Sequence, residues 1–110
     1  MVIKPKLSER GEVMFQNQRY RTRGIAYDLP PILQAVLWQL IDEMKVSKKD
    51  YLQVFKLSGN GSEQVILHEQ EQPPYKKTHR IILRDTPFFV GKIFVIDDGE
   101  HTTMLKASEY

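Results

Sequence analysis

No cysteine occurs in the chain, which excludes a disulfide framework and any thiolate-ligated zinc site. Stability must then come from an apolar core, and 110 residues are enough to bury roughly two-thirds of the surface that the unfolded chain exposes. No apolar run approaches the ~20 residues needed to cross a bilayer, and the N-terminus carries no secretory apolar block. A membrane partner is not expected, and a cysteine-free chain fits a cytoplasmic location. A dominant charge is missing too. Sixteen basic residues against fourteen acidic ones leave +2, too little to draw the whole molecule to DNA or an anionic membrane. Phosphate-cradling glycine loops, the Gly-x-Ser-x-Gly elbow and histidine-rich zinc patterns are also lacking, so the residues indicate neither catalysis nor a cofactor.

What is present is the pattern of one folded domain, with 41% apolar and 27% charged residues. Residues 1–18 alternate polarity without a period of 2 or 3.6, which predicts a flexible arm ahead of a single domain spanning 19–110. Glu9-Arg10-Gly11-Glu12-Val13 can also be encoded by a purine-rich stretch resembling a ribosome-binding site, which would place the native start at Met14. A first strand is expected over 19–27, with Gly24 marking a bulge or a close approach by another backbone. Asp28, Pro30 and Pro31 signal a helix start. From there Ile32, Leu33, Val36, Leu37, Leu40, Ile41 and Met44 recur at helical spacing, with Gln34, Gln39, Asp42 and Glu43 opposite. Trp38 borders that apolar face.

Strands follow at 50–57, 63–70 and 78–84, the first two joined by the turn sequence Ser58-Gly59-Asn60-Gly61-Ser62. Pro73 and Pro74 interrupt pairing, because proline donates no amide. A terminal hairpin closes the chain around Asp97-Asp98-Gly99-Glu100-His101. With Asp98-Gly99 as a two-residue loop, Ile96 would face His101 and Val95 would face Thr102, leaving one apolar face of the hairpin to be covered by other elements or a second molecule. The pattern predicts an α+β fold: one main amphipathic helix on a mostly antiparallel sheet of about five or six strands.

Three groups of residues could carry function. Asp97, Asp98, Glu100 and His101 cluster around Gly99 and could serve a metal-dependent hydrolase, although Asp-Gly between apolar strands is first a turn signature. No metal site is expected there. Arg19, Arg21 and Arg23 fall on one face of a strand, near Tyr27. Such a row suits phosphates, or pairs with cross-strand carboxylates such as Glu63, Glu69 or Glu71. Trp38 could cap the core edge or act as a binding anchor. The segment ending in Pro73-Pro74-Tyr75 could present an extended peptide, but its prolines mainly end strand pairing.

Thr22-Arg23-Gly24-Ile25, Leu37-Trp38 with Ile41-Asp42, Asp50-Tyr51-Leu52-Gln53-Val54-Phe55, and Lys92-Ile93-Phe94-Val95-Ile96-Asp97-Asp98-Gly99 through Thr103-Met104-Leu105 to Glu109-Tyr110 resemble the domain of unknown function 960. The likeness runs in order from Met14 to Tyr110. That family comprises small uncharacterised proteins of Gram-positive bacteria, some encoded on mobile DNA. The resemblance therefore implies no activity, cofactor or catalytic residue. The residues and the resemblance together predict a small cytoplasmic binding or accessory protein acting through a protein-interaction surface. The alternative is a nucleic-acid-binding factor using the three arginines, and a homodimer is a further partner class.

Overall fold

The computed structural model describes residues 14–110. The proposed coding of a ribosome-binding site at residues 9–13 and most of the expected arm lie outside the described residues. The rest of that arm is packed. Phe15 is fully buried, and β1 begins at Gln18 and runs to Arg21.

The strand expected over 19–27 stops at Arg21 because Thr22 turns the chain. The Thr22 hydroxyl accepts the Ile25 amide at 3.2 Å and caps a short helix, α1, Arg23–Asp28. Gly24 is thus helical rather than a bulge. A Cβ there would lie 2.5 Å from a carboxylate oxygen of Glu109, which accepts the Gly24 amide and the Thr22 hydroxyl. The main helix, α2, spans Pro31–Asp42, with proline in its first turn as expected. Asp28 does not cap it. That carboxylate ends α1 and pairs with Lys106.

The remaining strands are β2 Leu52–Asn60, β3 Glu63–Gln70, β4 Tyr75–Ile82, β5 Gly91–Asp97 and β6 His101–Lys106. They form one six-stranded sheet in the order β1-β6-β5-β2-β3-β4. Every pairing is antiparallel except that of β1 with β6. The fold is therefore α+β, with one main helix on a mostly antiparallel sheet. The β2–β3 turn is tighter than expected: pairing continues to Asn60 opposite Glu63, leaving only residues 61–62 between the strands. Gly61 supplies the positive φ, +63°. Gly59 stays in the ladder, and the ring of Phe88 occupies the space where a side chain would stand.

One face of the sheet holds the core. Phe55, Leu57, Ile66, Ile93, Val95 and Met104 pack there against Ile25, Leu33, Leu37 and Ile41 from the helices, with Phe15 filling one end. Two helical positions depart from the hydropathy pattern. Ile32 is 55% exposed, whereas Gln34 is buried. Gln34 Nε2 donates to the carbonyls of Ile25 and Leu29, and its Oε1 accepts from Arg21, so this glutamine ties α1 and β1 to α2. Residues 83–90 cover the far end of the same face through Leu83 and Phe89. Gln64 fixes that segment by bonding both the amide and the carbonyl of Phe89, each at 2.9 Å.

Strand β3 reverses its own hydropathy. Gln64, Ile66, His68 and Gln70 point into the molecule while Val65 and Leu67 point out. The inward amides form a network. His68 Nε2 lies 2.6 Å from Gln53 Oε1, Gln53 Nε2 donates to Gln70 Oε1 at 2.8 Å, and Gln70 Nε2 reaches the carbonyls of Lys48 and Pro73. These bonds pair the buried amides of Gln53 and Gln70 with each other, with His68 Nε2 and with backbone carbonyls, while His68 Nδ1 is buried without a partner.

Candidate functional site

The arginine row does not form. Arg19 and Arg21 pair with Thr102 and Met104 of β6, so their side chains share the helix-facing side of the sheet. Arg19 makes an ion pair with Asp42 at 2.5 Å, donates to the carbonyl of Phe15 at 3.0 Å, and stacks 4.7 Å above the Trp38 ring. The carboxylate partner comes from α2, not from a neighbouring strand. Arg21 donates to Gln34 at 2.8 Å. Arg23 lies apart on α1, exposed. Tyr27 is 81% exposed on the same helix, and Trp38 is half-buried against the core edge. The five residues do not form one surface: two guanidiniums brace β1 onto α2, and Trp38 is the platform for one of them.

The acidic turn is satisfied from within. Asp97 is buried and faces inward. Its Oδ2 accepts the Phe15 amide at 2.8 Å, and its Oδ1 accepts Asn17 Nδ2 at 3.0 Å and the Gly99 amide at 2.8 Å. Asp98 Oδ1 accepts the amides of Glu100 and His101, each at 3.0 Å, and its other oxygen lies 3.2 Å from His101 Nε2. The backbone amides of His101 and Glu100 hold the Asp98 carboxyl below the usual carboxylate range. Because both aspartates accept amides of the turn, the chain reverses around Gly99 and Glu100, one residue later than expected. Ile96 therefore faces Thr103 rather than His101. The shift of two in the pairing leaves each side chain on its expected face. Among the described residues no three His, Asp or Glu side chains are grouped to hold a metal ion.

Among the described residues no helix packs on the other face of the sheet. Leu52 and Val54 of β2, Val65 and Leu67 of β3, and Phe94 and Ile96 of β5 stand on it, all half-buried. Leu52, Val54, Phe94 and Ile96 adjoin across β2 and β5, Val54 lying opposite Phe94 and Leu52 opposite Ile96. On β3, by contrast, Val65 and Leu67 stand opposite Ser58 and Lys56, and Glu69 stands opposite Val54. Of the described residues beyond the strands, Tyr110 packs on this stripe, its ring edge-on to Phe94 at 5.6 Å. Charges flank it. Lys56 and Lys76 pair with Glu69 at 3.1 and 3.6 Å, and Arg80 with Glu63 at 3.7 Å. At one end Asp50, Tyr51, Glu69 and Glu71 rim a hollow of about 270 Å³, below the usual size of a small-molecule site.

Comparison with known proteins agrees with this architecture. The profile of the family described as Staphylococcal protein of unknown function (DUF960) matches residues 18–109. The chain belongs to this family. A crystal structure of a protein of unknown function from Enterococcus faecalis is similar, with a TM-score of 0.76 and 25% identity over 86% of this chain and 92% of that one. No curated protein matches significantly. The family and this neighbour are both described as of unknown function, and nothing in either indicates catalysis. Among the described residues no helix is long and apolar enough to cross a membrane.

Sequence reasoning located the terminal hairpin but missed the buried network of Gln53, His68 and Gln70. Its trace was the alternation Gln64, Ile66, His68, Gln70, which hydropathy alone assigns to the solvent side because Val65 and Leu67 are the more apolar partners.

Proposed function

We infer that the protein is a small binding or accessory protein that recognises another protein through the open face of its sheet. The observation that carries this reading is the apolar group Leu52, Val54, Phe94 and Ile96, with Val65 and Leu67 on the far side of the Lys56–Glu69 ion pair, on the side away from both helices. An apolar centre with a charged rim is the usual anatomy of a protein-binding patch. Aliphatic side chains dominate the stripe, which favours a protein over single-stranded nucleic acid, whose bases stack on aromatic rings. The nucleic-acid alternative based on the arginines has less support, because Arg19 and Arg21 are engaged by Asp42 and Gln34. A cytoplasmic setting fits the cysteine-free chain.

The test is affinity capture from native cells with the full chain and with a Val54→Lys/Ile96→Lys variant, scored for protein and for nucleic acid. A protein partner retained by the parent and lost by a variant of unchanged fold is the expected result. Identical capture by both chains would remove the open face from consideration, and nucleic acid alone would favour the alternative.

A further inference from the structure

Strand β4 is the last strand of the sheet, and among the described residues β3 is its only partner. Its eight residues, Tyr75–Ile82, leave one backbone edge unpaired over roughly 26 Å. From Tyr75 to Arg84 the sequence carries Lys76, Lys77, Arg80 and Arg84 and no acidic residue. Like charge on an edge prevents two copies from pairing there. The same charge selects for an edge of opposite sign.

The two sides of the strand differ. On the outer side Lys76 and Arg80 keep 69% and 52% of their side-chain exposure and reach their glutamates only at 3.6 and 3.7 Å. On the helix side Tyr75, Lys77 and His79 border an open groove of about 580 Å³ whose other wall is the end of α2 and the residues after it, including Leu40 and Met44. Asp42 and Glu43 also line that wall, and Asp42 is bound to Arg19. His79 borders this groove, with its Nε2 buried and without a hydrogen-bond partner.

We propose that the free edge of β4 takes up an extended segment of another protein as an added strand, one that alternates acidic and apolar side chains. Backbone bonds to β4 supply the ladder. Side chains of one parity enter the groove against Leu40, Met44 and Tyr75, and those of the other parity place carboxylates beside Lys76 and Arg80. This site lies beside the open apolar face and does not depend on it.

The test uses a fluorescent peptide as long as β4 that alternates valine and glutamate, titrated against the full chain, with a valine–lysine peptide and a single-stranded oligonucleotide as controls. Expected are binding of the acidic peptide alone, slowed amide exchange in β4, and about tenfold weaker binding by a Lys76→Gln/Arg80→Gln variant. Met44→Ala, which shortens the groove wall without touching the charges, should also weaken it. The open-face variant Val54→Lys/Ile96→Lys should bind the peptide as the parent does, so failure of either reading is seen separately. No binding of the acidic peptide, equal binding of the lysine peptide, protection outside β4, or protection of β4 by the oligonucleotide instead would each overturn the proposal.

Discussion

Asp97 shows how a residue that resembles a ligand can serve the fold. Its carboxylate satisfies the buried amide of Phe15, 82 positions away, and the side chain of Asn17, which in turn accepts from Thr102 at 2.6 Å. Asp97→Ala would leave that amide unpaired in the interior, at a cost of about 1–3 kcal/mol. Chemical denaturation should show the loss, and hydrogen exchange should localise it to residues 14–17. His68 makes a second prediction at this scale. Burial, and secondarily the neighbouring His79, push its pKa down to about 3, and His79 is lowered too, first by its own burial. The folded protein keeps the His68 ring neutral where the unfolded chain, titrating near 6.5, takes up a proton. Its stabilising contribution is therefore complete above pH 6.5 and is lost as pH falls toward 3, by at most about 1.4 kcal/mol per pH unit for this group. Thermal unfolding at successive pH values checks this, and His68→Gln should flatten the profile.

At the scale of elements, the short helix α1 depends on its ends. It has only six residues, too few to be stable by propensity. The Thr22 hydroxyl caps its first turn, Glu109 of the terminal turn accepts from Thr22 and Gly24, and Lys106 pairs with Asp28 at its other end. The backbone amide of Lys106 is the largest influence holding the Glu109 carboxyl below its usual range, with the Thr22 hydroxyl second. Thr22→Val, which keeps the shape and removes both bonds, should cost about 1 kcal/mol. It should also raise exchange in α1 and in the terminal turn together. An effect confined to α1 would show that Glu109 does not couple them. The helix was not legible in the sequence, because Arg19-Tyr20-Arg21-Thr22-Arg23 alternates like a strand and the partner that stops it lies 87 residues further on.

Across the whole molecule, the two faces of the sheet have opposite sensitivities. Ile66 is fully buried beneath the helices, so Ile66→Ala should cost about 2–5 kcal/mol. Its neighbour Leu67 points outward and half-exposed, so Leu67→Lys should change stability by less than about 1 kcal/mol. Measured side by side in urea, the pair tests the assignment of the inner and outer faces. Equal losses would mean that a further layer covers the outer stripe. The sequence suggested that one apolar face of the terminal hairpin would need a cover, and the sheet extends that face across β2 and β3.

The sequence by itself determined the fold class, the main helix from Pro31, the hairpins and, to within one residue, the terminal turn, because these depend on interactions between near neighbours: helical spacing, proline at a first turn, glycine at positive φ. It did not determine which way Arg19, Arg21, Gln34, His68 and Asp97 point, since each is placed by a partner distant in the chain. Only the tertiary structure decided that two of the arginines brace a helix, that the aspartate holds Phe15 and Asn17, and that among the described residues an apolar face and a basic edge are left open. The physical reason is that a polar group taken from water must be paired wherever the fold supplies a partner, and that partner is chosen by packing, not by sequence proximity.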